Sequence, residues 1–342
     1  MTAIDPPQAI RRHLQQRGPI SPDLHAVADT AWELLGAGLL ALPLPGEGAT
    51  IVRWRALAEV AAVDLAVAQL VEGHLEAQAI HADSGRTMAD GLWAVWAAQS
   101  HDATLTARAV DDGWVLDGSK RWCSGARSVT AAVVTARDQA GIRTFALPVR
   151  EADLRFDPNS GLSSGMALAD TLLMSASDVH LPATAELGSG AGWFFERPGY
   201  WAGVAAQAAT WYGGAMGVAR ALRAAVGRRE ADPFVLTHLG FADACCEAMD
   251  AIMERAATVV DAQAPGAARA AAWQARAAVE FVVAELVRRA TIAMGAAVLA
   301  DDPALARRLA DLSVSVRRHG GEREHAALGA DVLDREGPPP AS

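Results

Sequence analysis

The feature that most constrains this chain is a change of hydrophobic period, made twice. From about Leu24 to Ile80 the apolar residues recur at helical spacing, as in Ala58, Ala61, Ala62, Leu65 and Ala66. From about Leu92 to Pro182 the period is two, with Leu105, Ala107 and Ala109 alternating with Thr104, Thr106 and Arg108. After Gly192 the helical period returns and runs to about Val332. A period of 3.6 puts every third or fourth residue on one face, and a period of two alternates faces, so one segment cannot satisfy both. The chain therefore reads as α+β. An N-terminal helical domain is expected at 1–91 and a central antiparallel β domain at 92–185. A C-terminal four-helix bundle follows at 186–335, with a disordered tail at 336–342.

Local signals refine this reading. Leu42-Pro43-Leu44-Pro45-Gly46 is a loop between helices. Asp112-Gly113 predicts a hairpin turn before Trp114-Val115-Leu116. Ala131–Ala136 and Thr144–Val149 form a second strand pair turned at Gln139-Ala140-Gly141, and Thr171–Met174 and Val179–Leu181 supply further strands. Short strands with turns between them suggest a small antiparallel barrel or sandwich. The bundle helices are expected at Ala208–Ala225, Phe234–Asp261, Ala267–Leu299 and Pro303–Arg318, separated by Asp232-Pro233, Pro265-Gly266 and Asp301-Asp302-Pro303. Gly213, Gly214 and Gly217 would let another backbone come close to the first of these.

Composition excludes several classes. A net charge of −10 suits nucleic acid poorly. Three cysteines, two of them the adjacent Cys245 and Cys246, read as reduced thiols in a cytoplasmic protein. The uncharged stretch between Arg197 and Arg220 is mostly Ala and Gly with few large apolar residues, so it reads as a buried helix and not a membrane span. No signal peptide is seen at Met1–Arg17. Gly188, Gly190 and Gly192 read as loop geometry between domains, without a dinucleotide fingerprint around them. Gly320-Gly321 would break any helix presenting His319 and His325 together, so no metal site is expected.

The segment that points to chemistry is Asp117-Gly118-Ser119-Lys120-Arg121-Trp122-Cys123-Ser124-Gly125-Ala126. On a strand, Trp122 and Ser124 would share a face, setting a flat aromatic surface beside a hydroxyl. A planar cofactor could stack on one and bond the other; a core Trp with an ordinary strand Ser fits the pattern as well. Lys120 is also the chain's only lysine among its 30 basic residues, which marks a place where arginine does not substitute or a chance of composition.

This segment resembles one in the acyl-CoA dehydrogenase family of flavoproteins. There a G-x-K-x-W/F-I-T/S-N-G stretch sets an aromatic and a hydroxyl against the flavin. Lys120, Trp122, Ser124 and Gly125 match it, and Ala126 departs from it. Leu42–Gly48 and Gly214-Ala215-Met216-Gly217 resemble two further family segments, and the order of helical, β and bundle domains is the family's. The resemblance implies FAD as cofactor and an acyl thioester, on coenzyme A or a carrier protein, as substrate. It also implies an electron-transfer partner and a homo-dimer or tetramer assembled through the bundle.

The departures bear on the activity. The family's T-E-P-x-A-G-S-D loop is matched by Trp93–Asp102 without the motif, leaving Trp96 as a residue near the flavin. Its R-x-x-F-G segment is reduced to Arg228 and Arg229, which are cations for a diphosphate or solvated residues at a helix end. Its catalytic glutamate positions fall here on His319, eight residues after Asp311, and on Gln207. A neutral histidine can act as general base near neutral pH, so His319 is the candidate catalytic residue, with Glu322 and Glu324 as fallback bases. Three readings follow. The first is α,β-dehydrogenation of an acyl thioester, the second a flavin monooxygenase or oxidase of the same architecture, the third a partner subunit that has lost the site.

Overall fold

A computed structural model of the chain describes residues 5–161, 163–226, 233–263, 266–318 and 320–336. In chain order its helices and strands begin with α1 (Pro6–Arg17), α2 (Leu24–Gly36), α3 (Thr50–Val63) and α4 (Leu65–Ser84). Seven strands follow: β1 (Trp93–Trp96), β2 (Leu105–Val110), β3 (Gly113–Cys123), β4 (Ala131–Arg137), β5 (Ile142–Leu147), β6 (Leu154–Asp157) and β7 (Leu172–Pro182). The chain continues through α5 (Trp193–Glu196), α6 (Tyr200–Val226), α7 (Pro233–Asp261), α8 (Ala267–Asp301), α9 (Pro303–Ser315) and α10 (Glu322–Glu336). These form two compact units, one of 1–44 with 66–200 and one of 45–65 with 201–342.

The first unit holds the sheet, in strand order β1-β4-β2-β3-β7-β6, with β5 also paired to β4. The expectation of an antiparallel domain needs correction. β1 and β2 both run parallel to β4, so the sheet is mixed. β1 escaped the alternation test because Trp93, Ala94 and Trp96 are all buried, and a strand covered on both faces does not alternate. β7 is one strand where two were expected. Leu116 pairs with Val179 but Gly118 with Ala176, so the polar break at Ser177-Asp178 is a bulge with Asp178 at φ 53°. The β2–β3 turn is Asp111-Asp112, one residue earlier than expected, because Val110 already pairs with Gly113. Gly113 serves packing instead, since a Cβ there would collide with the Leu181 carbonyl oxygen. The Gly188–Gly192 loop lies inside this unit, where the Trp193 ring occupies the space a side chain at Gly188 would need.

α4 lies against the sheet. Ala77 and Ile80 pack with Trp93, Ala131, Val133, Leu187 and Phe194 in one core cluster. Arg197, buried, is paired with Glu76 and Asp83. α1 was not anticipated. Its chain is mostly polar, and only Ile10 and Leu14, four residues apart, are buried.

The second unit is helical. The expected charge-poor segment is α6, whose Ala205, Ala208, Trp211 and Ala215 are buried; no described helix is long and apolar enough to cross a membrane. α9 starts as its sequence predicts, with Asp302 accepting from the Leu305 N–H and Pro303 in the first turn. α8 is kinked at Gly295, φ 69°. α10 is a helix beyond the expected four, set off by Gly320-Gly321. Asp261 of α7 caps α3 from outside, accepting from the Gly48 and Thr50 N–H groups and the Thr50 hydroxyl. Arg55 of α3 is held by Asp250 and Glu254 of α7.

The glycines of α6 explain how closely α3 approaches. A Cβ on Gly213 would collide with the Ala58 carbonyl oxygen, and one on Gly217 would lie 2.5 Å from that of Ala62. Gly240 of α7 has open space around its missing Cβ. Gly213→Ala is therefore expected to destabilise the chain by about 1–3 kcal/mol through overpacking. Gly240→Ala should stabilise it by about 0.5–1 kcal/mol. Urea unfolding of the two variants checks the opposite signs.

Candidate functional site

The end of β3 does not continue its alternation. Lys120 pairs with Met174 of β7 and Cys123 with Leu172, so β3 carries one residue more than its partner over this span. Trp122 takes up the excess with φ 60°, a left-handed conformation that a bulky residue adopts only under constraint. Its side chain is 54% exposed. Ser124 lies just beyond the strand, so the common face with Trp122 that simple alternation predicts is replaced by a bulge and a turn, with the Ser124 N–H donating to the Trp122 carbonyl at 3.1 Å.

The segment after Trp122 is pinned by the one before β7. Gly125 and Ala126 donate to the carbonyls of Ala169 and Asp170 at 2.8 and 3.2 Å. The buried Asp170 carboxylate accepts from the Arg127 backbone N–H at 2.9 Å and pairs with its guanidinium. The Ser124 and Thr171 hydroxyls are 2.9 Å apart. Such a pair shares one proton and keeps a second free to donate outward. Trp96 is 1% exposed and meets this segment through its indole N–H, which donates to the Ser124 carbonyl at 3.0 Å. Its ring packs edge-on to Phe156.

Lys120 is buried at 4% exposure. Its Nζ donates to the Thr135 hydroxyl at 3.0 Å, and that hydroxyl also accepts from Gln99 Nε2 at 3.1 Å. Burial lowers the Lys120 ammonium from its ordinary 10.5 to about 8. Burial likewise pushes the Cys123 thiol up to about 12, so it stays protonated.

In the second unit Gln207 lies on α6, at one position where the resemblance places a catalytic carboxylate. Its side-chain oxygen accepts from Arg276 Nη1. Arg276 is 3% exposed and spends all five of its N–H groups. Glu324 takes two of them, at 2.8 and 2.7 Å, and the carbonyls of Arg318 and Val204 two more. The guanidinium also stacks over Trp211 at 4.9 Å. Glu324 in turn accepts from the Gly320 N–H at 2.8 Å. A carboxylate bound bidentate to a buried guanidinium is stabilised in its charged form and is a poor proton acceptor. Glu322 is exposed. His319, Arg228 and Arg229 lie outside the described residues.

Of the residues singled out from sequence, Trp96 and Ser124 are brought together by a hydrogen bond, with Trp122 beside them. Gln207 and Glu324 are brought together through Arg276. Sequence reasoning missed Arg127, Asp170, Thr171 and Arg276. Asp170 precedes the expected strand that Thr171 opens, where neither carries a spacing signal, and Arg276 is one arginine among many on helices.

The fold is acyl-CoA dehydrogenase-like, as in the solved structures that match it. No family model and no curated protein sequence matches the chain. Solved structures do match. The complex of TdsC from Paenibacillus sp. A11-2 with FMN and indole is similar at a TM-score of 0.77 and 18% identity, over 98% of this chain and 97% of that one. TdsC is a dibenzothiophene monooxygenase. KijD3 in complex with FMN and a dTDP-linked amino-keto sugar is similar at 0.78 and 20% identity, over 98% and 95%. PigA with FAD and proline is similar at 0.74 and 13% identity, over 96% and 93%. At these identities the likeness establishes the fold.

Two outcomes test this description. Lys120 binds its proton less readily when folded than when unfolded. Its burial therefore penalises the fold fully below about pH 8, and the penalty fades as pH rises towards 10.5. Lys120→Met is expected to remove that rise in stability, which is on the order of 3 kcal/mol across the window; urea unfolding of both proteins at stepped pH reads it. Arg276→Met should destabilise the second unit by about 3 kcal/mol, because Glu324 and Gln207 lose their shared partner. Thermal unfolding at pH 7 measures it.

Proposed function

We propose that the protein is a flavin-dependent oxidoreductase of the oxygen-using kind, a monooxygenase or oxidase. The observation that carries the choice is the Gln207–Arg276–Glu324 cluster. Dehydrogenation of an acyl thioester needs a base free to take the α-proton, a role the family gives to a carboxylate. Gln207 has no carboxylate, and Glu324 is neutralised by Arg276, which favours oxygen chemistry over the acyl-thioester reading.

The β-unit segment fits a flavin. An exposed indole is held on a strained backbone, and a hydroxyl pair beside it has a proton to spare. Trp122 would stack on the planar ring, and Ser124 with Thr171 would bond its polar edge. Trp96 would act from behind, fixing the Ser124 backbone. Arg228 and Arg229 are assigned to the phosphates. When bound, the flavin would supply electron transfer and, once reduced, reaction with oxygen. His319 is assigned to holding or moving a proton, which Arg276 cannot do because a guanidinium does not give up its charge.

FMN in TdsC and KijD3 and FAD in PigA support a flavin here, with FAD as the form the resemblance implies. A reductase would supply the electrons. Large apolar side chains exposed on the second unit support a homo-dimer or tetramer, among them Phe234 at 81%, Phe281 at 73% and Leu333 at 60%.

The test is anaerobic. The protein loaded with FAD or FMN, about one per chain, is mixed with acyl-CoA esters of graded length and its flavin absorbance followed. No bleaching is expected. Dithionite-reduced flavin on the protein should then reoxidise in air at a rate different from free flavin. Bleaching by an acyl-CoA would sink the oxygenase reading in favour of dehydrogenation. Failure to bind either flavin would sink both.

A further inference from the structure

Buried charges in folded proteins are paired, because an unpaired ion in a low dielectric is costly. This chain follows that rule at Arg197, held by Glu76 and Asp83, and at Arg276, held by Glu324. Lys120 departs from it. The side chain is 4% exposed, and among the described residues no carboxylate bonds it. One of its three donors goes to the Thr135 hydroxyl, a neutral group.

The groups around it are accounted for. From β3 itself comes the Cys123 thiol, kept protonated by burial. β4 contributes Thr135, and β7 contributes Met174 at the paired position. The loop after β1 contributes Gln99, bonded to the same hydroxyl. Asp102 of that loop is turned to Arg121 at 2.8 Å, on the exposed side. Arginine carries nearly all other positive charge in the chain, so the single lysine sits where the negative charge is missing.

We propose that Lys120 is the counter-charge for an anionic ligand bound at the β3 end beside Trp122 and Ser124, and that this ligand is the flavin ring in its reduced, negatively charged form. The proposal rests on the flavin reading above. The oxidised ring is neutral and gives Lys120 nothing to pair with. The reduced ring carries negative charge on its pyrimidine side, and in a water-poor surrounding a buried ammonium stabilises it. Lys120 transfers no proton or electron; it favours one charge state of the ligand over the other. By linkage, the ligand that prefers protonated Lys120 must also make Lys120 hold its proton more tightly.

The sole lysine makes this measurable in the whole chain. Lysine labelled with carbon-13 at Cε gives one side-chain resonance, whose titration is followed in the free protein, with oxidised FMN, and anaerobically with dithionite-reduced FMN. The midpoint is expected to rise by about one pH unit with reduced FMN, equivalent to about tenfold in affinity, and to stay put with oxidised FMN. Lys120→Met should bind reduced FMN about tenfold more weakly, with oxidised FMN changed by less than about threefold. FMN fluorescence and equilibrium dialysis report binding independently of any turnover. If FMN binds and the Lys120 midpoint is the same in both redox states, or Lys120→Met weakens both states equally, the proposal is overturned and the flavin reading stands. If the unaltered chain binds no flavin, the flavin reading falls and takes the proposal with it.

Discussion

Between Lys120 and Cys123 the third strand carries one residue more than β7, and the geometry of the candidate site follows from that mismatch. A regular strand would have alternated Lys120, Trp122 and Ser124 along one face. The extra residue leaves Lys120 buried while Trp122 stands exposed with φ 60°. It also ends the strand at Cys123, so that Ser124, Gly125 and Ala126 meet 169–171 instead of continuing along β7. A left-handed tryptophan persists only where its surroundings over-determine it. Asp170 supplies that constraint by gripping both the backbone and the side chain of Arg127.

Two buried cations, Arg276 in the second unit and Lys120 in the first, are treated in opposite ways. In the second, Arg276 is saturated by five acceptors drawn from α6, α10 and the chain after α9. It is a structural rivet with no donor left for a ligand. In the first, Lys120 bonds a neutral hydroxyl, and among the described residues no acid bonds it. The saturated cation removes Glu324 as a base, and the unsaturated one leaves a charge for a ligand to balance. Local rules broken without an internal partner are expected at functional positions.

Much of the architecture was legible before any coordinates. The 3.6-residue period of the bundle and the Asp302-Pro303 start of α9 came through because they depend on neighbours in sequence. The glycines of α6 were legible too, since only a close backbone approach explains Gly213 and Gly217 together in a helix interior. β1 was not, because a fully buried strand has no wet face to alternate with. α1 was not, because two buried side chains in a polar helix leave almost no period. The candidate site was legible as a segment, through Lys120, Trp122 and Ser124. Its partners Asp170 and Thr171 were hidden because they lie more than forty residues away and carry no spacing signal.

By itself, then, the sequence determined where the helical and the strand regions lie, and which short segment carries an aromatic, a hydroxyl and the lone lysine. Periodicity and turn chemistry are properties of near neighbours, and near neighbours are what a sequence displays. The tertiary structure decided the rest. It set the parallel pairing of β1 with β4, the bulge that exposes Trp122, the burial of Lys120 against the Thr135 hydroxyl, and the capture of Glu324 by Arg276. Each of these depends on which distant group fills the space beside a residue, and strand register and side-chain packing fix that only once the chain has closed on itself.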